Sequence, residues 1–279
     1  MINFQVYKNG KLLVQDSEEF SVDINKNQIL FILHGLFGRG KNWQSFAKKF
    51  SSDKDQIVIT VDLRNHGGND FKNEHSYLSM AYDIVELAEY LKIQKIDLLG
   101  HSMGGKVAMV LALSYQHLIN KLVVADIAPI NYPEDNQIII DILLSLETNL
   151  IKNRNHADEI LSKYINEKFL RAFLLQNLEL VDGIYDWSIN LKVIKNSMGE
   201  LRSFPNFKNK SAVDNKLLCI YGENSDYVKN QYFDVFKEYF NNTSFQKINN
   251  AGHFLHVEKP DEFYEISRKF LRNKTYHVV

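Results

Sequence analysis

The sequence predicts an α/β fold with a mostly parallel sheet, helices on both faces and one helical insertion. Short, nearly all-apolar runs recur along the chain, and most are separated by segments with helical periodicity. Strands that are apolar throughout are typical of parallel sheets covered on both faces. Between about residues 132 and 215 this alternation stops, because helical patterns follow one another there without a convincing strand. That stretch is the predicted insertion.

Length and composition limit the classes of function. A chain of 279 residues with 45% hydrophobic content can form one large domain, or one domain carrying an insertion. A net charge of -1 gives no electrostatic sign of a nucleic-acid partner or an anionic membrane. Neither a signal peptide nor a membrane-spanning run is visible, and the single cysteine, Cys219, is expected to be a buried core residue. We therefore expect a cytoplasmic protein without membrane insertion, and its oligomeric state stays open between monomer and dimer.

The sheet is predicted to have eight strands, of which the first two form an antiparallel hairpin. Asn9-Gly10 between two short strand-like segments is a strong signal for a two-residue turn. The other strands are predicted at residues 29–33, 57–61, 96–99, 122–125, 217–221 and 245–248. Helices of the core are predicted at residues 42–50, 79–91, 103–115, 231–240 and 260–271. Ser79 is a partial helix cap, and Pro260 suits a first helical turn.

The insertion divides the predicted core in two. Residues 1–131 and 213–279 form the core, and residues 132–212 form a helical lid, with helices at 137–146, 157–164, 167–177 and 186–198. Open α/β sheets bind ligands at the carboxyl edge of their strands, and a helical excursion from that edge can cover the crevice. The alternative is a second packing layer with no lid role.

Residues 100–105, Gly-His-Ser-Met-Gly-Gly, nominate Ser102 as a nucleophile. They have the form G-x-S-x-G between a predicted strand and a predicted helix, which is the context that this motif requires. A turn this tight exposes the serine hydroxyl only if its neighbours are small, and glycine supplies that. The alternative interpretation is a glycine-rich turn that happens to contain a serine.

A serine hydroxyl needs a base and a group that orients the base. His253 is the predicted base, because it follows the last strand at the same sheet edge as Ser102, whereas His256 is expected to be a packing or surface residue. Two acids compete for the third role. Asp126 ends the strand after the nucleophile and is flanked by apolar residues, so its carboxylate needs a partner, whereas Asp226 follows the next strand one position late in register. We therefore prefer Asp126.

The oxyanion of a tetrahedral intermediate needs two converging backbone donors. The predicted donors are the N–H groups of Met103, after the nucleophile, and of Leu36, in the loop His34-Gly35-Leu36 after an early strand. His34 is expected to bond loop backbone, and Asp62 and Arg64 to brace their loop. The sequence has no zinc-binding H-E-x-x-H, no clustered cysteines, no dinucleotide-binding motif and no P-loop, so neither a metal nor a cofactor is expected.

The chain resembles the α/β-hydrolases and, within that fold, the bacterial YbfF-like esterases. The motifs that carry the resemblance lie at residues 34–38, 62–67, 100–105, 126–129, 224–228 and 252–260. Asp-Ile-Ala-Pro at 126–129 is the most specific, and the resemblance implies that Asp126 is the acid and that Ser225 supports the histidine. The chain departs from the pattern at Gly67-Gly68-Asn69, where relatives commonly place a serine at the third position. The patterns at 181–183 and 187–190 are kept, which implies a lid.

The predicted function is hydrolysis of small acyl esters or thioesters through an acyl-enzyme on Ser102. The resemblance implies short acyl chains and, in some relatives, acyl-CoA. Basic and acidic residues nearly balance between 131 and 212, so charge does not favour a CoA preference. The alternatives are a carbon-carbon bond hydrolase with the same three residues and a ligand-binding protein of weak activity. Haloalkane and epoxide chemistry would need an aspartate at position 102.

Overall fold

A single twisted sheet forms the centre of the molecule in the computed structural model, which describes residues 1–15, 28–133, 137–207 and 211–272. The strands in chain order are β1 Phe4–Lys8, β2 Lys11–Gln15, β3 Gln28–Leu33, β4 Gln56–Val61, β5 Ile96–His101, β6 Ile119–Ala125, β7 Leu178–Val181, β8 Ile184–Trp187, β9 Val213–Gly222 and β10 Phe240–Ile248. Eight of these make one sheet in the order β10-β9-β6-β5-β3-β4-β1-β2. The pairs from β10 to β4 are parallel, and β1 is antiparallel to both of its neighbours. The predicted eight-stranded, mostly parallel sheet is thus confirmed.

The first hairpin forms as the turn signal predicts. Asn9 and Gly10 both have positive φ, at 52° and 72°. Two successive residues with positive φ give a turn whose twist matches that of the flanking strands. The register of the pair shifts between Val6 and Tyr7, so the edge strand carries an irregularity there.

Helices cover both faces of the sheet. They are α1 Gln44–Ser51, α2 Tyr77–Tyr90, α3 Met103–Ser114, α4 Gln137–Ser145, α5 Arg154–Leu161, α6 Lys168–Leu175, α7 Leu191–Arg202, α8 Phe233–Tyr239, α9 Leu255–Glu258 and α10 Pro260–Arg272. The helices α1 and α10 pack on one face, and α2, α3 and α8 on the other. Ser79 is not the cap of α2: Ser76 caps it and accepts from the Ser79 N–H, while the Ser79 hydroxyl accepts from the Ser76 N–H. A capping box usually has glutamate or glutamine at its third helical position, so this reciprocal pair of serines was not predicted.

The segment between β6 and β9 contains α4 to α7 and also a hairpin, so the expectation that it lacks strands is wrong. Strands β7 and β8 pair antiparallel around Asp182 and Gly183, whose φ values are 50° and 81°. Asp-Gly is a standard signal for this turn. The helix predicted at 186–198 accordingly begins only at Leu191, where Asn190 caps it by accepting from the Val193 N–H. Parts of the insertion, 134–136 and 208–210, lie outside the described residues.

The strand order determines where a ligand can bind. Strand β4 lies on one side of β3 and β5 on the other, so the chain changes direction across the sheet between them. Loops that leave the carboxyl ends of two such strands diverge and open a crevice. The residues that follow β3 and β5 are His34 onward and Ser102. In the core beneath, the predicted burial of Cys219 is confirmed, and no helix in the described part of the chain is long and apolar enough to span a membrane.

Candidate active site

Ser102 lies on a sharp turn between β5 and α3. Its φ of 52° and ψ of -119° are a backbone conformation that residues other than glycine rarely adopt. The turn is fixed by the Ser102 N–H, which donates to the Ala125 carbonyl at 3.0 Å. A Cβ on Gly100 would lie 2.2 Å from the Gly104 carbonyl oxygen, and one on Gly104 would lie 2.3 Å from that of Leu33. Only glycine at these two positions allows the helix to approach the strands so closely.

The His253 imidazole lies between Ser102 and Asp126. Its Nε2 is 3.0 Å from the Ser102 Oγ, and its Nδ1 is 2.7 Å from the Asp126 Oδ2. Because a carboxylate only accepts, Nδ1 carries the proton and Nε2 is free to accept from the serine hydroxyl. The Tyr227 ring stacks on the imidazole with centroids 4.0 Å apart. The geometry is that of a nucleophile, a base and an orienting acid in contact.

Of the two candidate acids, the structure brings Asp126 to the histidine and leaves Asp226 at the surface. The Asp126 side chain is fully buried, whereas that of Asp226 is 93% exposed and pairs with Lys229 at 3.1 Å. Asp126 Oδ1 also accepts from the Gly222 N–H at 3.1 Å. Burial of a carboxylate is compensated only by such donors, so the flanking apolar residues correctly indicated that Asp126 has a partner.

Ser225 contacts the acid and not the histidine. Its hydroxyl donates to Asp126 Oδ2, the same oxygen that faces His253, and accepts from the Tyr227 N–H at 3.2 Å. The resemblance implied that Ser225 supports the histidine, and in the structure the two side chains are linked through Asp126 Oδ2, which both of them contact.

Leu36 and Met103 both border the cavity beside Ser102. Neither backbone N–H bonds to an acceptor among the residues that the structure describes. The turn that carries Leu36 is closed by the Gly38 N–H, which donates to the Gly35 carbonyl at 2.9 Å. Gly35 is required there, because its Cβ would lie 2.9 Å from the His101 Nδ1. Both predicted donors thus line the same cavity as Ser102.

The loops around the site are braced by polar side chains. His34 Nδ1 donates to the Gly35 carbonyl at 2.8 Å, and Nε2 accepts from the Leu63 N–H at 2.9 Å. Burial lowers the pKa of His34 well below its usual range, which keeps it neutral for both roles. Asp62 accepts from the Gly40 N–H at 2.6 Å, and Arg64 pairs with Asp83 at 2.6 Å. Across the described ranges, no three His, Cys, Asp or Glu side chains come together as metal ligands.

The departure at Asn69 does not leave its loop without bracing. The buried Asn69 amide donates to the Asp62 and Leu63 carbonyls at 2.7 and 3.2 Å, and its oxygen accepts from the Asn3 N–H at 2.6 Å. An amide can both donate and accept, so Asn69 braces the loop through both of its polar atoms.

A cavity of about 60 Å³ opens beside Ser102 between the core and the insertion. Its lining is mostly apolar and aromatic: Leu36, Tyr77, Met103, Ile127, Tyr132, Pro133, Met198, Leu201 and Tyr227, with Lys106 and Arg202. The end of α7 therefore forms one wall, and α3 with the loop after β6 forms the other.

Lys106 is a residue of this site that the sequence interpretation missed, since it was included in a buried apolar helix. The side chain is buried, and Nζ donates to the carbonyls of Ile130, Arg202 and Ser203 at 3.0, 2.8 and 2.8 Å. Burial lowers its pKa to about 7. Two of these carbonyls are at the carboxyl end of α7, where a cation is favourable. A single lysine in an otherwise apolar helix was the available signal.

Comparison with known proteins gives one family. The sequence model of the alpha/beta hydrolase fold family matches residues 28–260. The sn-1-specific diacylglycerol lipase ABHD11 of Danio rerio is 34% identical, over 87% of this chain and 78% of that protein. Esterase YbfF of Escherichia coli is 32% identical, over 89% of this chain and 95% of that protein. The solved structure of a marine microorganism esterase is 32% identical, with a TM-score of 0.87 over 96% of this chain and 98% of that one.

Proposed function

The chain belongs to the alpha/beta hydrolase fold family, and from that premise we propose that Ser102 is the nucleophile of a carboxylesterase-type hydrolase. The observation that carries the proposal is the continuous set of contacts from Ser102 Oγ through both nitrogens of His253 to Asp126. Relatives at 32–34% identity over most of both chains are an esterase and a lipase, which supports ester hydrolysis.

The first step is acylation. His253 Nε2 takes the hydroxyl proton as Ser102 Oγ attacks the ester carbonyl carbon, and the carbonyl oxygen becomes an oxyanion. The Leu36 and Met103 N–H groups donate to that oxyanion. When the tetrahedral intermediate collapses, the C–O bond to the alcohol breaks and the imidazolium returns its proton to the leaving alkoxide. Asp126 stabilises the imidazolium throughout because it stays ionised against Nδ1.

The second step releases the acid. Water takes the position of the alcohol, gives a proton to His253 Nε2 and attacks the acyl carbon of the acyl-enzyme. Collapse of the second tetrahedral intermediate breaks the bond to Ser102 Oγ, which recovers its proton from the imidazolium. Ser225 contributes by donating to Asp126, since that bond keeps the carboxylate oriented toward His253.

The substrate class follows from the cavity and the insertion. A cavity of about 60 Å³ with an apolar lining suits a short acyl chain. Residues 132–212 act as the lid, because α7 supplies Met198 and Leu201 to that lining. Thioesters fit the same chemistry, since Ser102 attacks the carbonyl in either case, and acyl-CoA is the natural thioester to test.

The test is hydrolysis of p-nitrophenyl esters of increasing acyl length by the wild type, Ser102→Ala and Ser145→Ala. Ser145 ends α4 and is exposed, so its variant is a matched control. We expect Ser102→Ala to lose at least about 1,000-fold in kcat and Ser145→Ala to keep wild-type activity. Retention of activity in Ser102→Ala would overturn the proposal. Acyl-CoAs and ring-cleavage diketones in the same assay separate thioesterase and carbon-carbon hydrolase activities from esterase activity.

A further inference from the structure

We propose that His101, at the end of β5, and Glu258, at the end of α9, are positioning residues that hold the main chain around the catalytic base. The inference deepens the proposed function and rests on it, because it concerns how His253 is kept in register with Ser102. Neither residue borders the cavity beside Ser102, so both act through the loop that carries His253.

His101 connects the nucleophile's strand to the base. It is the residue before Ser102 and is buried, and its Nε2 lies 2.8 Å from the His253 carbonyl oxygen. A carbonyl only accepts, so Nε2–H donates. The two imidazole rings lie 4.8 Å apart. Two contacts therefore link the nucleophile's turn to the base. One joins Ser102 Oγ to His253 Nε2, and the other joins the side chain of His101, which precedes Ser102, to the main chain of His253.

Glu258 binds the same loop from the end of α9. The residue ends α9, and its two carboxylate oxygens accept from the N–H groups of Gly252 and Phe254 at 2.7 and 3.2 Å. A Cβ on residue 252 would lie 3.2 Å from Oε1, which is tighter than an ordinary contact, so glycine makes room for the carboxylate. Bonds from N–H groups to an ionised acceptor are among the stronger hydrogen bonds.

Together the two side chains bind a main-chain group on each of three successive residues. Glu258 accepts from 252 and 254, and His101 donates to 253 between them. The neighbouring residues have other partners, since the Asn224 N–H donates to the Ala251 carbonyl at 2.8 Å and the Asn250 N–H to Glu223 at 3.0 Å, but the main chain of 252 to 254 is bonded through Glu258 and His101. A displacement of about 1 Å at a reacting group can cost about 100-fold in rate. Positioning of this loop is thus a direct determinant of turnover.

The charge state of His101 fits this role. Burial, together with the neighbouring His256 and His253, lowers the pKa of His101 well below its usual range. A neutral His101 still has the one Nε2–H that the bond needs. It also adds no positive charge beside His253 when that base becomes protonated during the reaction.

The experiment compares His101→Phe, which removes the donor, with His101→Gln, which restores an N–H near the position of Nε2. His256→Phe is the matched control, because His256 belongs to the same ring cluster, 4.5 Å from His101, and stacks on Trp43. We expect His101→Phe to lose at least about tenfold in kcat with KM within about twofold, His101→Gln to recover most of the loss, and His256→Phe to keep wild-type kcat.

Glu258 gives a second, independent pair of variants. Glu258→Ala removes both acceptors and is expected to lower kcat at least about tenfold, whereas Glu258→Gln keeps one amide oxygen as an acceptor and is expected to fall between it and the wild type. If His101→Phe does not fold, the His101→Gln and Glu258 variants still decide the matter. Wild-type kcat in folded His101→Phe or Glu258→Ala would overturn the inference, as would a loss in His101→Phe that His101→Gln does not repair.

The positioning of His253 can be measured separately from ester hydrolysis. If the wild type and Ser102→Ala hydrolyse esters equally, the proposed function fails whatever the His101 variants do. The inference then still has its own readout, the downfield NMR proton of His253 Nδ1 bonded to Asp126. We expect a sharp resonance in the wild type and His256→Phe, and a broadened or absent one in His101→Phe. An unchanged resonance in His101→Phe would contradict the inference.

Discussion

Asp126 and Asp226 differ in burial and in partner, and this gives a test at the scale of single residues. Asp126→Asn keeps the shape of the side chain but removes the charge that stabilises the imidazolium and fixes its tautomer, so kcat is expected to fall by about 10,000-fold. Asp226→Asn removes a surface carboxylate with a 93% exposed side chain, and kcat is expected to stay within about twofold. Steady-state kinetics on one short ester checks both, and a large loss confined to Asp226→Asn would contradict the assignment.

Residues of the candidate site could be predicted from the sequence where crowding or burial restricts which amino acids can occupy a position. The crowding around Ser102 admits only glycine at positions 100 and 104, and the apolar neighbours of Asp126 signal a buried carboxylate. Lys106 and Glu258 were not predictable in the same way. Their partners are main-chain groups far along the chain or in a loop, so residue type alone, even the single lysine in the apolar α3, does not say what the side chain binds.

At the scale of elements, two buried lysines each donate to carbonyls at the carboxyl end of a helix, so their variants can be compared with each other. Lys106 binds carbonyls at the end of α7, and Lys121 binds those of Phe270 and Leu271 at the end of α10, at 3.2 Å each. Lys106→Met and Lys121→Met are each expected to cost about 2–3 kcal/mol of unfolding free energy, because two or more buried carbonyls lose their hydrogen-bond donor. Urea unfolding measures both costs.

Only one of the two lysines is next to the cavity, so their effects on activity should differ. Lys106→Met loosens the end of α7, which forms a cavity wall, and is expected to raise KM at least about threefold. Lys121→Met loosens α10 on the other face of the sheet and is expected to leave KM unchanged. Equal KM values in the two variants would show that α7 does not shape the substrate site.

In the insertion, the helices could be predicted from the sequence but the two short strands could not. Its helices were visible as apolar periodicity, but β7 and β8 are four residues each, too short for a periodic signal against helical neighbours. Asp182-Gly183 indicates a turn, but it does not indicate whether the residues on either side of that turn are strands. The parallel strands, by contrast, are apolar throughout because the sheet is covered on both faces, and they could therefore be predicted from the sequence.

At the scale of the whole molecule, the raised pKa of Asp97 should make the free energy of unfolding depend on pH. Asp97 is buried in β5, where it accepts from the Asn120 side chain and the Lys121 N–H, and burial raises its pKa to about 6 from an ordinary value of 3.8. The folded state therefore binds more protons than the unfolded chain between about pH 4 and 6, and stability falls as pH rises through that window.

Asp97→Asn removes this penalty and keeps an oxygen for both donors. The variant is expected to exceed the wild type by about 2–3 kcal/mol at pH 7.5 and to match it near pH 4. Urea unfolding at the two pH values measures this, with the exposed Asp234→Asn as a control that changes little at either pH. A difference between Asp97→Asn and the wild type that is the same at both pH values would contradict the burial argument.

The proposal that Ser102 attacks with the help of His253 is tested most directly by covalent labelling with a fluorophosphonate, followed by peptide mass mapping. We expect one adduct per chain, on the peptide that contains Ser102. Labelling should be absent in Ser102→Ala and strongly slowed in His253→Ala, because the hydroxyl then has no base. An adduct on another residue, or labelling that persists at the wild-type rate in Ser102→Ala, would contradict the proposed role of Ser102.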